Sequence, residues 1–172
     1  EPQTAVCSED SRYGDVPADS PDVIIFDAYE HCISAVDRGI RADSIVKPWV
    51  HFDSARVFVT REEISALQRA VLYPTKHTPL AAPWDKVYRR RFLTEHGLKF
   101  NERLRVFDDM FFNIEVFGEA ALIGYVKRSV YHYIRNAASI TSKYTPDRIP
   151  KDIEVWDAIE EYLAQVDEKQ ES

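Results

Sequence analysis

The sequence predicts an α/β fold, because short strand-like runs and amphipathic helical stripes alternate along it. Val23-Ile24-Ile25-Phe26, entered through Pro21-Asp22, has the length and β-branched character of a buried strand. Thr60-Arg61-Glu62-Glu63 is a capping-box pattern standing ahead of a helical stripe of Ile64, Leu67 and Val71. Residues 122–126 and 130–134 are two further strand-like runs, separated by Lys127-Arg128-Ser129.

Taken in order, residues 1–20 read as a flexible N-terminal segment, polar and broken by Pro2, Gly14 and Pro17. Residues 21–172 read as one domain. After the first strand, residues 28–53 alternate weakly and predict one or two edge strands, turning near Asp37-Arg38-Gly39. The helix opened by Thr60 should end around Tyr73-Pro74, since proline drives the preceding residue out of helical geometry. A loop follows, with Pro79 and Pro83. A short helix is expected from Arg89 to His96, stopped by Gly97 in the left-handed region. Residues 98–106 read as extended. A stronger helix opens at Asp108-Asp109, with Met110, Ile114, Phe117 and Ala121 along one face. Aspartates there suit the free amides and the positive end of the helix dipole. The two later runs predict a hairpin turning at Lys127-Arg128-Ser129. Residues 136–150 read as irregular. A last helix buries Ile153, Trp156, Ile159 or Glu160, Leu163 and Val166, and the charged tail from Asp167 should fray.

Bulk properties exclude several functions. The chain has 172 residues, 45% of them hydrophobic, enough for a single core that buries about two thirds of the unfolded surface. Its net charge of −7 argues against nucleic acid as a partner, which demands a basic face. No stretch approaches the roughly 18 apolar residues of a membrane-spanning helix. Cys7 and Cys32 are too few for a disulfide framework and read as reduced thiols in a cytoplasmic protein. The start, Glu1-Pro2-Gln3-Thr4, lacks both a methionine and a signal pattern, so the chain reads as a piece of a longer protein. Three histidines, His51, His77 and His96, lack the spacing of a metal site.

The order of motifs is more telling than any one of them. Trp84-x-Lys86-x-Tyr88 is followed by Phe92-Leu93, Gly97-Leu98-x-Phe100 and Phe107-Asp108-Asp109-Met110-Phe111-Phe112. Tyr131-His132-Tyr133-x-Arg135 and Ser139-Ile140-Thr141 come last. This succession, across residues 21–142, resembles the second half of bacterial family 2 glycosyltransferases. The resemblance implies a partial GT-A-like mixed sheet flanked by helices, with the Val23 strand near a severed edge. It also implies an acceptor-side, base-bearing portion of an inverting transferase for cell-surface polysaccharide. Its partners would be a nucleotide-sugar donor and a glycan or lipid-linked acceptor.

By the same resemblance Asp109 takes the place of the general base and Asp108 that of a neighbouring Glu. A carboxylate suits this step, since the acceptor hydroxyl must lose a proton as it attacks the anomeric carbon. Capping of a helix is the simpler role for both aspartates, and one residue can do both. Trp84 could stack on a sugar ring, Lys86 and Arg135 could meet phosphate, and Tyr133 and Ser139 would border the same cavity. Buried packing for the tryptophan with a solvated lysine is the alternative. Arg89-Arg90-Arg91 reads as a solvated face, or at most as a peripheral contact to anionic lipid at the inner membrane face. Relatives also carry an Asp-Asp-Gly-Ser uridine segment and an Asp-x-Asp metal element, and neither occurs here. Mg2+ or Mn2+ is therefore expected only in the intact enzyme, and this chain alone should be inactive. An exposed apolar face predicts a homodimer, or cover by the N-terminal segment. A non-catalytic, glycosyltransferase-like binding module is the competing reading.

Overall fold

The computed structural model describes residues 20–32, 46–72, 80–135 and 146–171. The N-terminal segment up to residue 19, the turn at Asp37–Gly39, Tyr73-Pro74, His77 and Ser139 lie outside the described residues. The element order is β1 (Val23–Cys32), β2 (Val46–Trp49), β3 (Arg56–Phe58), α1 (Arg61–Leu72), β4 (Lys86–Tyr88), α2 (Arg90–Glu95), α3 (Asp108–Glu119), β5 (Ile123–Arg135) and α4 (Arg148–Glu171). A mixed sheet flanked by helices results, as expected from the α/β alternation.

β1 is interior, not the edge strand that the resemblance implied. It runs parallel to β5 on one side, and its other side is shared by β4 at Val23–Ile25 and β2 at Ala28–His31, both antiparallel. β3 then pairs antiparallel with the start of β5, closing the order β2-β1-β5-β3. Val23 and Ile25 are completely buried, while Ile24 and Phe26, on the other face of the strand, are half-buried.

The expected hairpin is absent. Residues 123–135 form one strand, and Lys127-Arg128-Ser129 is an irregularity inside it rather than a turn. Phe26 faces Val126, Asp27 faces Ser129 and Ala28 faces Tyr131, so β5 spends six residues where β1 spends three. The physical reason is a long-range partner: pairing with β1 satisfies the ladder on both sides of the polar triplet. Lys127 Nζ donates to the Asp53 carbonyl at 2.6 Å and helps hold the bulged segment.

Helix boundaries follow local chemistry. Glu63 N–H donates to Thr60 Oγ1 at 3.2 Å and Thr60 N–H to Glu63 Oε2 at 3.2 Å, completing the predicted capping box of α1. Gly97, at φ +64°, ends α2 with Leu98 N–H bonded back to the Leu93 carbonyl at 2.9 Å. Residues 98–106 form turns and bends rather than a strand. α4 begins at Arg148, inside the stretch read as irregular, and continues through the tail that was expected to fray. Its buried face is Val155 and Ile159 with Tyr162 and Leu163 beside them, while Ile153 and Trp156 are exposed. The stripe was misplaced because Ile159 and Leu163 belong to both possible faces, and contact with α3 selects between them.

Two contacts fix how the helices pack, one against the sheet and one against each other. Asp22, buried, accepts from Ala121 N–H at 2.8 Å and Leu122 N–H at 3.0 Å with one oxygen and pairs with Arg89 through the other. That single carboxylate ties the starts of β1, α2 and β5. Gly118 lets α3 approach its neighbours: a methyl there would strike the Tyr162 hydroxyl and lie 2.9 Å from Gln68 Nε2. Gly118→Ala should therefore destabilise the chain by about 1–3 kcal/mol, read as a lower midpoint in chemical denaturation at unchanged slope.

Candidate functional site

The site is assembled where the sheet ladder is broken. At Phe26–Ala28 the β1–β5 register shifts, and on the opposite side of β1 the partner changes from β4 to β2. Polar side chains converge on this break from four directions. Asp27 comes from β1, Tyr125 from β5, His51 from just after β2, and Asp85 and Lys86 from the start of β4. All five are buried.

They form one hydrogen-bonded chain. The Tyr125 hydroxyl donates to Asp27 Oδ1 at 2.7 Å, and His51 N–H donates to the same oxygen at 3.1 Å. His51 Nε2 lies 2.7 Å from Asp85 Oδ2, and Lys86 Nζ donates to Asp85 Oδ1 at 2.7 Å and to the Ala82 carbonyl at 2.5 Å. A carboxylate only accepts, so His51 Nε2 must carry the proton of that bond. The lysine of the Trp84-x-Lys86 motif is thus buried and the tryptophan half-buried.

Beside this chain lies the start of α3. Phe107 precedes it at φ 51°, the one positive φ outside glycine among the described residues, which turns the chain directly into Asp108 and Asp109. Such a conformation costs an aromatic residue about 1–3 kcal/mol, and sites of this kind concentrate near function. Both aspartates occupy the first turn, with Asp109 Oδ1 accepting from Met110 N–H at 2.7 Å. Capping and burial therefore meet in one side chain. Burial pushes the Asp109 carboxyl above the usual carboxylate range; the Met110 N–H and Lys86 oppose that push and Asp108 adds to it. Burial lowers the Lys86 ammonium, against the pull of Asp85 and Asp109. Asn113, one turn along α3, donates to the Ala81 carbonyl at 2.7 Å and accepts from the Tyr88 hydroxyl at 2.7 Å. These bonds dock the 80–88 segment on the first turns of α3.

Trp84 belongs to that segment and extends toward an aromatic wall. It stacks on Tyr131 at 4.7 Å between centroids and 25°, on Tyr133 at 5.4 Å and 15°, and against Trp49 at 4.9 Å. Tyr131 and Tyr133 alternate on β5 beyond the bulge and face the same side through their partners Ala28 and Glu30. On the opposite face, His132 Nδ1 lies 2.7 Å from His31 Nε2.

The sequence-predicted residues thus divide. Asp108, Asp109 and Lys86 come together electrostatically, and Trp84 and Tyr133 stack into one wall. Arg135 closes β5 opposite Cys32, and its side chain, like Ser139, is outside the described residues. Sequence reasoning passed over Asp27, Asp85, Tyr125, Trp49 and Tyr131, and took His51 only as a scattered histidine. Two of these had a visible signal, Asp85 lying between Trp84 and Lys86 and Tyr131 opening the Tyr131-His132-Tyr133 motif. Among the described residues no group of three or more His, Cys, Asp or Glu could hold a metal ion, so these residues do not fit a metal site. None of their helices is long and apolar enough to cross a membrane. A separate cleft at the other end of β1 is lined by Asp22, Arg89, Phe92 and His96.

Comparison with known proteins gives one informative similarity. The chain is 36% identical over 63 residues to the provisionally named glycosyltransferase EpsH of Bacillus subtilis (strain 168). The match covers 36% of this chain and 18% of that protein, so the chain spans less than a fifth of the relative's length. The similarity supports a relation to glycosyltransferases. No family model matches, and no solved structure gives a significant match.

The buried chain has a pH signature. Burial, followed by the bond to Asp27, pushes the Tyr125 hydroxyl up to about 12, against 10.0 when free. Its neutral form is favoured by folding, so the contribution to stability is full below pH 10 and is lost between pH 10 and about 12. Urea midpoints measured at stepped pH should fall across that window, and Tyr125→Phe should fall less steeply than the parent. Tyr162, also pushed to about 12 by burial, accounts for part of the fall that remains.

Proposed function

We propose that this chain supplies the acceptor-side, base-bearing part of an inverting, family 2-type glycosyltransferase. With a nucleotide-sugar-binding half, it passes a sugar from its donor to a glycan or lipid-linked acceptor in cell-surface polysaccharide synthesis. The observation that carries this reading is the Asp109 carboxyl, fixed at a helix start and raised by burial; the chain also stacks Trp84 on Tyr131 and Tyr133. The similarity to EpsH supports the same class.

The chemistry is a single displacement. The acceptor hydroxyl oxygen attacks the anomeric carbon, the bond from that carbon to the diphosphate breaks, and the nucleoside diphosphate leaves with the electron pair. Asp109 takes the hydroxyl proton. A carboxylate lifted by burial accepts it more readily than one at the solvated value, and Asp108 beside it adds to the lift. Trp84 and Tyr133, extended by Trp49 and Tyr131, offer ring faces on which a sugar can lie. Arg135 and Ser139 are assigned to the diphosphate side. Mg2+ or Mn2+ would accompany the diphosphate and is assigned to the donor half. The reading puts the protein in the cytoplasm, working at the inner face of the membrane.

In the full-length protein, Asp109→Asn keeps an acceptor for the Met110 N–H and removes the base. Transfer should drop by about 10²–10⁴-fold with the fold intact, and undiminished transfer would refute the assignment. Trp84→Ala should raise the acceptor KM by about 3–10-fold with little change in kcat, as loss of a stacking surface does.

A further inference from the structure

We propose that Asn113 is a positioning residue for the transfer: its amide ties the segment bearing Trp84 to the helix turn bearing Asp109. It thereby sets where an acceptor stacked on Trp84 stands relative to the base. The inference rests on the reading of Asp109 as the base and Trp84 as the stacking surface. Asn113 itself is fully buried and acts through its neighbours.

Hydrogen-bond geometry carries the argument. Asn113 sits on α3 among the buried Met110, Phe112, Ile114 and Phe117. Its Nδ2 donates to the Asp109 carbonyl at 3.0 Å and to the Ala81 carbonyl at 2.7 Å. Its Oδ1 accepts from the Tyr88 hydroxyl at 2.7 Å. Carbonyl oxygens only accept, so the amide can stand only one way round and Tyr88 must donate. Both amide hydrogens and the amide oxygen are therefore committed. One side chain joins the first turn of α3 to residues on either side of Trp84 in the sequence.

The remaining bonds of the segment explain why this junction matters. Among the described residues, the hydrogen bonds between the 80–88 segment and α3 both end on Asn113. Others hold the segment to itself or to the sheet. Lys86 N–H donates to the Pro83 carbonyl at 3.2 Å, Lys86 Nζ to the Ala82 carbonyl at 2.5 Å, and Phe26 N–H to the Asp85 carbonyl at 2.8 Å. Without the amide, the segment keeps its place on the sheet and loses its hydrogen-bonded register with the helix of Asp109. An apolar side chain of similar size would cost less to bury in this core. It could not hold Ala81 and Tyr88 against one turn of helix. Reaction rates feel such registers, since a displacement of about 1 Å can cost about 10²-fold.

Two measurements test the proposal. In this chain, Asn113→Leu should speed amide hydrogen exchange at Lys86 by about 10-fold or more, with Leu67 on α1 unchanged as the reference for global stability. In the full-length protein, the ratio of transfer to an acceptor over transfer to water should fall by about 10-fold or more. Water does not stack on Trp84, so loss of folded enzyme lowers both rates equally and leaves the ratio alone. Tyr88→Phe keeps the ring against Phe112 and removes only the hydroxyl bond, so it should move both readouts in the same direction by less. This variant carries the test if Asn113→Leu does not fold. An unchanged ratio, or exchange that quickens equally at Lys86 and Leu67, would overturn the proposal. If Asp109→Asn leaves transfer intact while exchange at Lys86 quickens as expected, the reading of the base fails and the docking by Asn113 stands.

Discussion

The structure turns on a defect in its own sheet. β1 and β5 run in parallel register from Val23 to Phe26, lose it over three residues, and recover it from Ala28 onward. Interrupting a ladder in a protein interior leaves backbone and side-chain polar groups that must find partners or destabilise the fold. Beside the gap the Asp27 carboxylate accepts from the His51 backbone N–H, the His51 ring meets Asp85, and Asp85 accepts from Lys86. Two carboxylates and a lysine in the interior are costly on their own account, and replacing such groups with apolar ones is often neutral or stabilising. Their presence is better explained by what they position than by what they stabilise. The cluster sets the placement of the loop before β4, and that loop in turn sets the relation of Trp84 to the first turn of α3.

The same defect makes the aromatic wall. The three additional residues of β5 sit between the part of the strand that fills the core and the part that bears Tyr131 and Tyr133. Ile123 and Tyr125 point into the core before the bulge, and Val130 to Ile134 are largely exposed after it. A bulge changes the aim of a strand without ending it. One continuous element therefore serves as core scaffold at its start and as an exposed aromatic surface at its end, with the buried polar chain at the pivot.

Local chemistry in the sequence foretold the parts of this structure that depend on local chemistry. The capping box at Thr60 and Glu63, the Gly97 terminator and the start of α3 at Asp108 were all legible, because each is settled within a few residues. The fold class followed from the alternation of strand-like and helical runs. What failed required knowledge of distant partners. Lys127-Arg128-Ser129 has the composition of a turn, and nothing within ten residues reveals that β1 holds the strand straight through it. The α4 stripe had two periodic solutions sharing Ile159 and Leu163, and only packing against α3 chose the one that leaves Trp156 outside. The site divides the same way. Asp109 and Trp84 were singled out by motif order, whereas the bond of His51 to Asp85, 34 residues away, has no signal in the sequence.

That division bears on how the candidate base should be understood. A carboxylate at a helix start is ordinarily pulled down by free amides and the helix dipole, and at a solvated surface it would be a weak base. Burial reverses the balance for Asp109, and the reversal is not set by Asp109 or by its motif neighbours alone. The depth at which the residue lies is fixed by the 80–88 segment closing over α3, and that closure depends on Asn113 bridging Ala81 and Tyr88. The Met110 N–H limits the rise first and Lys86 last, and Lys86 is held within the same 80–88 segment by Asp85 and the Ala82 carbonyl. The motif supplies the functional groups, while the surrounding fold determines their strength.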